Sequence, residues 1–213
     1  MTERQKIIAP RQPIAIVRLE DLTESVKISR ALLQGGIRTL EFTLTNRHAL
    51  AVIEQVRAEL QGEVLVGAGT VLDAESARAS ILSGAEFLVT PTYQPDVIAC
   101  GRRYGVPVAC GAFTPTEILA AWQSGADLVK VFPAGPLGPA YIKDVRAPLP
   151  DIRLVPTGGV NLDNCAAFLR AGAYTVAMGS SLVDKDMIRQ KDWRSLATLA
   201  RRYVEACSEG MKA

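Results

Sequence analysis

Apolar residues along the 213-residue chain follow two spacings that take turns from one end to the other. Short β-branched runs are each followed by a longer stretch in which apolar positions recur every three or four residues, so strand patterns alternate with helical ones. The runs are PIAIVR (13–18), RTLEFTL (38–44), VLVGAGT (64–70), EFLVTP (86–91), VPVACGA (106–112), DLVKVFP (127–133), IRLVPTGG (152–159) and YTVAMGS (174–180). Four of them are preceded by a small-residue stop: Gly35-Gly36-Ile37, Ser83-Gly84-Ala85, Ser124-Gly125-Ala126 and Ala171-Gly172-Ala173. These glycines suit left-handed helix C-caps. The spacings of 48, 41 and 47 residues between Gly36, Gly84, Gly125 and Gly172 fit two strand–helix units per repeat. Helix starts are expected at Asp21, at Asp73, at Thr114 with Pro115 and Glu117, and at Asn161.

Eight strands alternating with helices pair in parallel, and eight is the number at which such a sheet closes. The expected fold is an α/β (β/α)8 barrel, one domain over residues 1–213. Residues 1–12 would form a short N-terminal helix or arm, and residues 192–207 the last helix. An open doubly wound sheet is the alternative, but the first strand–helix turn lacks GxGxxG.

Composition narrows the function classes. Lys and Arg total 24 against 22 Asp and Glu, with no long basic run, which argues against a nucleic-acid surface. No apolar run approaches the ~18 residues needed to cross a bilayer, so no membrane partner is expected. The four cysteines form no CxxC pair and no secretory signal precedes them, which points to free thiols in the cytoplasm. One histidine, His48, cannot build a zinc site of the usual kind and reads as a surface or helix-start residue. No metal and no cofactor are expected.

Active sites of such barrels lie at the C-terminal ends of the strands. Side chains alternate along a strand, so Leu128, Lys130 and Phe132 share one face while Val129 and Val131 share the other. The valines suit the layer between sheet and helices, which aims Lys130 into the barrel. The same parity turns Glu41 and Thr43 inward. A structural ion pair is the bland reading, but desolvating two charges takes several kcal/mol each, which an apolar filling would avoid. A neutral lysine amine can attack a ketone to form a Schiff base; burial lowers an amine's pKa and a neighbouring carboxylate raises it. PTGGV (156–160) and MGSS (178–181) close strands seven and eight, where backbone N–H groups commonly hold phosphate. VGAGTV (66–71) is too short of glycine and lysine for a nucleotide loop and reads as a strand end carrying Thr70. Lys143, Trp122 and Trp193 read as helix residues outside the chemistry.

LEFTLT, VGAGTVLD, AEFLVTP, GAFTPTEI, DLVKVFPA, GPAYIK, LVPTGGVNLDN and MGSSLV together resemble the 2-keto-3-deoxy-6-phosphogluconate (KDPG) and 4-hydroxy-2-oxoglutarate aldolase family, over about residues 13–184. The resemblance implies a metal-independent class I aldolase, a carbon–carbon lyase of carbohydrate metabolism in the Entner–Doudoroff pathway, usually a homotrimer. Its partners would be a phosphorylated 2-keto-3-deoxy sugar acid, pyruvate and glyceraldehyde 3-phosphate, with cleavage of 4-hydroxy-2-oxoglutarate to pyruvate and glyoxylate also open. It makes Lys130 the Schiff-base lysine and Glu41 the general acid/base. Thr70 becomes a pyruvate-carboxylate contact, Pro91 and Phe132 cavity walls, and Thr157, Gly158, Gly159, Gly179 and Ser180 the far end of the substrate site. Many members carry an arginine four residues after the glutamate; here that position is Thr45, with Arg47 two residues on. Arg18, which closes the first strand, is favoured over Arg47 as the carboxylate partner. The alternatives are a 6-phosphogalactonate aldolase and a phosphosugar epimerase or isomerase on the same barrel.

Overall fold

The structure, a computed structural model, describes residues 8–209. Residues 1–7 of the expected N-terminal helix or arm lie outside the described residues. Eight parallel strands run β1 (Ile14–Val17), β2 (Thr39–Thr43), β3 (Leu65–Gly69), β4 (Phe87–Val89), β5 (Val108–Ala112), β6 (Leu128–Val131), β7 (Leu154–Pro156) and β8 (Ala177–Met178). They pair in chain order from β1 to β7, with β8 beside β1. A parallel bridge between Thr157 and Ala177 joins β7 to β8 and closes the ring. The expected barrel is therefore present, and the doubly wound alternative is not.

Helices return the chain between strands: α1 (Ser25–Gln34), α2 (Ala49–Glu59), α3 (Ala74–Leu82), α4 (Pro95–Tyr104), α5 (Pro115–Gln123), α6 (Gly138–Arg146) and α7 (Cys165–Arg170). After β8 come a short α8 (Lys185–Arg189) and the long α9 (Trp193–Glu209). Two of the expected starts hold. Asp73 accepts from the Ser76 N–H, and Thr114 with Glu117 forms a complete capping box behind Pro115. The other two are displaced. The Asp21 carboxylate accepts from the Thr23 N–H and α1 begins only at Ser25; the Asn161 side chain accepts from the Asp163 and Asn164 N–H groups and α7 begins at Cys165. Each side chain closes a local turn instead, the competing use that makes Asp and Asn ambiguous start signals.

The glycine stops behave as the repeat implied. In α1 the Ile37 N–H donates to the Leu32 carbonyl and the Gly36 N–H to Leu33, with Gly36 at φ +94°, a conformation that L side chains rarely adopt. Gly84, Gly125 and Gly172 end α3, α5 and α7 with the same pair of bonds. The side chain facing each of these glycines comes from a neighbouring helix: Arg57 of α2, Arg102 of α4 and Arg146 of α6 cover Gly84, Gly125 and Gly172, and Val204 of α9 covers Gly36. The barrel is a ring of four strand–helix–strand–helix units.

Strand alternation sorts the core into two shells. Val17, Leu40, Phe42, Val66, Val129, Val131 and Leu154 face outward and pack on Ile28, Ile53, Ile98, Ile118 and Phe168 of the helices. Ile14, Ile16, Phe87, Val89, Ala109, Leu128, Val155 and Ala177 fill the interior. Ile8 joins this inner cluster. Its carbonyl accepts from the Tyr174 hydroxyl, the Arg11 N–H donates to the Tyr174 carbonyl, and the Thr175 hydroxyl donates to the Gln12 carbonyl. Residues 8–12 thus plug the N-terminal end of the barrel.

The ring also needs α1 and α9 in close contact. A Cβ on Gly35 would lie 2.3 Å from the Ala200 Cβ and 2.5 Å from the Ala197 carbonyl oxygen. Gly35→Ala should therefore cost about 1–3 kcal/mol of stability through overpacking, read as a lower urea midpoint at unchanged slope. An unchanged midpoint would mean that the two helices separate freely.

Candidate active site

Lys130 lies in β6, in register between Gly111 of β5 and Val155 of β7. Glu41 lies in β2, opposite Ile16 of β1 and Gly67 of β3. Both point inward and both are buried, Glu41 1% and Lys130 6% exposed. Both sit beside the apolar inner cluster, since their register partners Ile16 and Val155 belong to it. Glycines make room for them. A Cβ on Gly69 would stand 1.9 Å from Glu41 Oε1, so that residue must lack a side chain for the carboxylate to sit where it does. A Cβ on Gly111 would strike the Pro91 backbone at 2.2 Å. Gly179 faces nothing within 4 Å and opens onto a cavity.

The electrostatics are uneven. Burial pushes the Glu41 carboxyl above its ordinary pKa, and the positive charges of Lys130 and Arg18 pull it partly back. Glu41 Oε1 is buried without a hydrogen-bond partner among the described residues. Lys130 and Glu41 form no ion pair within 4.0 Å among the described residues, so neither is locked by the other. The Lys130 ammonium position lies 5.1 Å from the centre of the Phe132 ring, close enough for a cation–π contact in the charged state.

A cavity of about 560 Å³ opens beside the two residues. Arg18, Glu41, Thr43, Thr70, Pro91, Lys130, Phe132, Thr157, Gly158, Gly159, Gly179 and Ser180 all line it, so the twelve side chains and loop positions singled out from sequence converge on one space. Several are held from outside. Thr70 sits at φ +56°, costly for a β-branched residue, and is pinned by the Leu44 N–H on the Gly69 carbonyl and the Val71 N–H on the Val89 carbonyl. The buried Thr90 hydroxyl donates to the Thr92 carbonyl and accepts from the Gly111 N–H, which fixes the turn carrying Pro91. Thr43 and Thr45 share a hydrogen bond of 2.9 Å at the rim. The Phe132 ring packs on Gly158, and Gly135 closes on Gly158–Gly159 through its N–H to the Gly158 carbonyl.

Arg47 does not line the cavity. Its Nε donates to His48, which stands exposed at the start of α2. Arg18 is thus the arginine within the cavity. Asn161, Ser181, Val183 and Lys185 also line it and were not marked as site residues in the sequence. They lie within the few residues after the two glycine loops, and that nearness was the available signal. Lys143 is exposed on α6, as expected. Among the described residues no three His, Cys, Asp or Glu side chains cluster as metal ligands, and no helix is long and apolar enough to cross a membrane.

This geometry has known counterparts. A model of the KDPG and KHG aldolase family matches residues 5–199. The 2-dehydro-3-deoxy-phosphogluconate aldolase of Treponema pallidum is 36% identical over 90% of this chain and 91% of its own length. The 2-dehydro-3-deoxy-6-phosphogalactonate aldolase of Escherichia coli is 32% identical over 91% and 95% respectively. Among solved structures, KDPG aldolase from Legionella pneumophila, with pyruvate captured as a covalent carbinolamine, superposes with a TM-score of 0.83 at 25% identity, covering 94% of this chain and 97% of that one. With its barrel, its inward lysine and glutamate and this match over nearly its full length, the chain belongs to the KDPG and KHG aldolase family.

Proposed function

We propose that the chain, working as one barrel domain over residues 1–213, is a class I aldolase that cleaves 2-dehydro-3-deoxy-6-phosphogluconate to pyruvate and glyceraldehyde 3-phosphate. One observation carries this reading: a buried lysine and a buried carboxylate share a cavity with the glycine loops of β7 and β8. Family membership favours this lyase chemistry over the epimerase or isomerase alternative.

The chemistry follows from the geometry. The neutral Lys130 amine adds to the C2 ketone, and the carbinolamine loses water to give an iminium, an electron sink for the next step. Glu41 takes the C4 hydroxyl proton as the C3–C4 bond breaks, releasing the aldehyde and leaving an enamine. Protonation at C3 and hydrolysis return pyruvate and the free amine. A carboxyl whose proton affinity is raised by burial can give the proton back as well as take it. Arg18, near enough to act on Glu41, is placed to pair with the substrate carboxylate, with Thr43 and Thr70 beside it. Pro91 and Phe132 wall the pyruvate end. Thr157 and the N–H groups of Gly158, Gly159, Gly179 and Ser180 receive the phosphate, whose binding energy holds the reacting carbons in place. No metal or cofactor is required. The free, buried Cys100, Cys110, Cys165 and Cys207 fit a reducing cytoplasm, and the family resemblance supports a homotrimer. Thr45, in place of the arginine of many members, leaves the choice of sugar acid open, and the Escherichia coli relative favours a second reading in which the C4-epimeric galactonate acid is the substrate.

Three outcomes test this reading. Borohydride added with pyruvate should leave one reduced adduct, on Lys130 by mass spectrometry; Lys130→Ala should abolish both adduct and turnover, and turnover sensitive to a chelator would contradict the mechanism.

Glu41→Gln should lower kcat by about 100-fold or more while pyruvate trapping is partly kept. It should also change stability in a pH-dependent way. The folded-state pKa of Glu41 is raised, so the stability linked to it is fully present below the unfolded pKa and is lost as pH rises through the folded one. The variant should therefore gain in Tm over wild type near pH 8, with the gain shrinking toward pH 4.

Substrate choice is read from kcat/KM for the two C4-epimeric phosphosugar acids and 4-hydroxy-2-oxoglutarate. The gluconate-derived acid should lead; a lead for the galactonate epimer would establish the second reading instead.

A further inference from the structure

The substrate class proposed above brings a carboxylate and a phosphate of nearly two negative charges into one cavity. Three basic side chains line that cavity: Arg18, Lys130 and Lys185. Lys130 is consumed in the imine, and Arg18 stands on the Glu41 side. That leaves Lys185, which lies four residues after Ser181 and begins α8.

Lys185 is also uncommitted. It is exposed, and among the described residues it makes no ion pair within 4.0 Å. The acids nearest in sequence and space are already engaged except Glu20, which is exposed, lines a second cavity together with Lys185 and makes no ion pair with it within 4.0 Å among the described residues. Asp184 accepts from the Asp186 and Met187 N–H groups as the cap of α8, and Asp186 pairs with Arg189. Across the second cavity that Lys185 lines, Glu24 holds both Lys27 and Lys191, and Asp21 accepts from the Thr23 N–H. A lysine with two acidic neighbours in sequence that pairs with neither has its charge free for a ligand.

We propose that Lys185 is a specificity-determining residue, whose ammonium meets the substrate phosphate above Gly179 and Ser180 and makes this site prefer phosphorylated over unphosphorylated 2-keto acids. This rests on the aldolase reading above and adds to it the side chain that tells a phosphate from a neutral or carboxylate end. The backbone N–H groups of the glycine loops give directional bonds; Lys185 gives net charge at the cavity mouth.

The test compares wild type with Lys185→Met and Lys185→Arg. The substrates are 4-hydroxy-2-oxoglutarate and whichever C4 epimer of the phosphosugar acid wild type turns over faster. The ratio of kcat/KM, phosphorylated over unphosphorylated, should fall about tenfold in Lys185→Met, mostly through KM, as expected for losing one charge-assisted contact. Lys185→Arg should restore most of the ratio. The competitive Ki of glycerol 3-phosphate should rise in parallel for Lys185→Met, and the difference should shrink from about 20 mM to about 300 mM salt as the Debye length contracts. Equal losses on both substrates, or an unmoved ratio with an unmoved glycerol 3-phosphate Ki, would overturn the proposal. Failure of the underlying aldolase reading looks different: wild type itself would give no borohydride-trapped pyruvate adduct.

Discussion

The desolvation of two opposite charges in the upper half of a barrel packed with isoleucine, valine and phenylalanine governs the rest of this structure. Glu41 and Lys130 are among the few charged side chains shielded from solvent, and they do not relieve one another by direct contact. Such an arrangement is unfavourable for folding and persists only where the surrounding structure over-determines it. The surroundings do so through closed backbone and packed rings. Gly69 yields its side-chain volume to the carboxylate, Phe87 fills the space beside Gly67, the register partner of Glu41, and the Pro91–Thr92 turn occupies the space above Gly111. A side chain at Gly111 would strike the Pro91 wall of the cavity, one at Gly67 the Phe87 ring, and one at Gly69 the Glu41 carboxylate itself.

Stability is supplied elsewhere, and in repeating form. The outer shell between strands and helices is continuous and apolar, and it carries none of the buried charge. The four glycine caps end alternate helices in the same geometry, and each is covered by a side chain from a neighbouring helix. The cost at the reactive end is thus offset by a frame whose parts are nearly interchangeable. That division between frame and site is the general logic of (β/α)8 enzymes.

Much of this was legible in the sequence because two periodicities, two and about 3.6, are hard to confuse over a whole chain. All eight strands fall within their expected runs, and alternation alone turned Lys130 inward and Val129 and Val131 outward. Other features were out of reach for physical reasons. Asp21 and Asn161 carry helix-start chemistry, but their oxygens satisfied turns one helical turn early. The closeness of Gly69 to Glu41 arises between strands and has no local signature. The left-handed Thr70 defies its own propensity, a preference that only tertiary bonds on both flanks override. Arg18 and Arg47 looked like rivals until Arg47 was found against His48. Lys185 escaped notice because a lysine opening a short polar helix resembles any solvated surface residue.

The plug formed by Ile8 and its bonds to Tyr174 has a kinetic corollary. Among the described residues an aliphatic side chain fills the floor of the barrel, and the cavity beside Lys130 is lined at the other end by the glycine loops after β7 and β8. Water that hydrolyses an imine on Lys130 and an aldehyde that leaves it then share the open, glycine-lined end of the barrel.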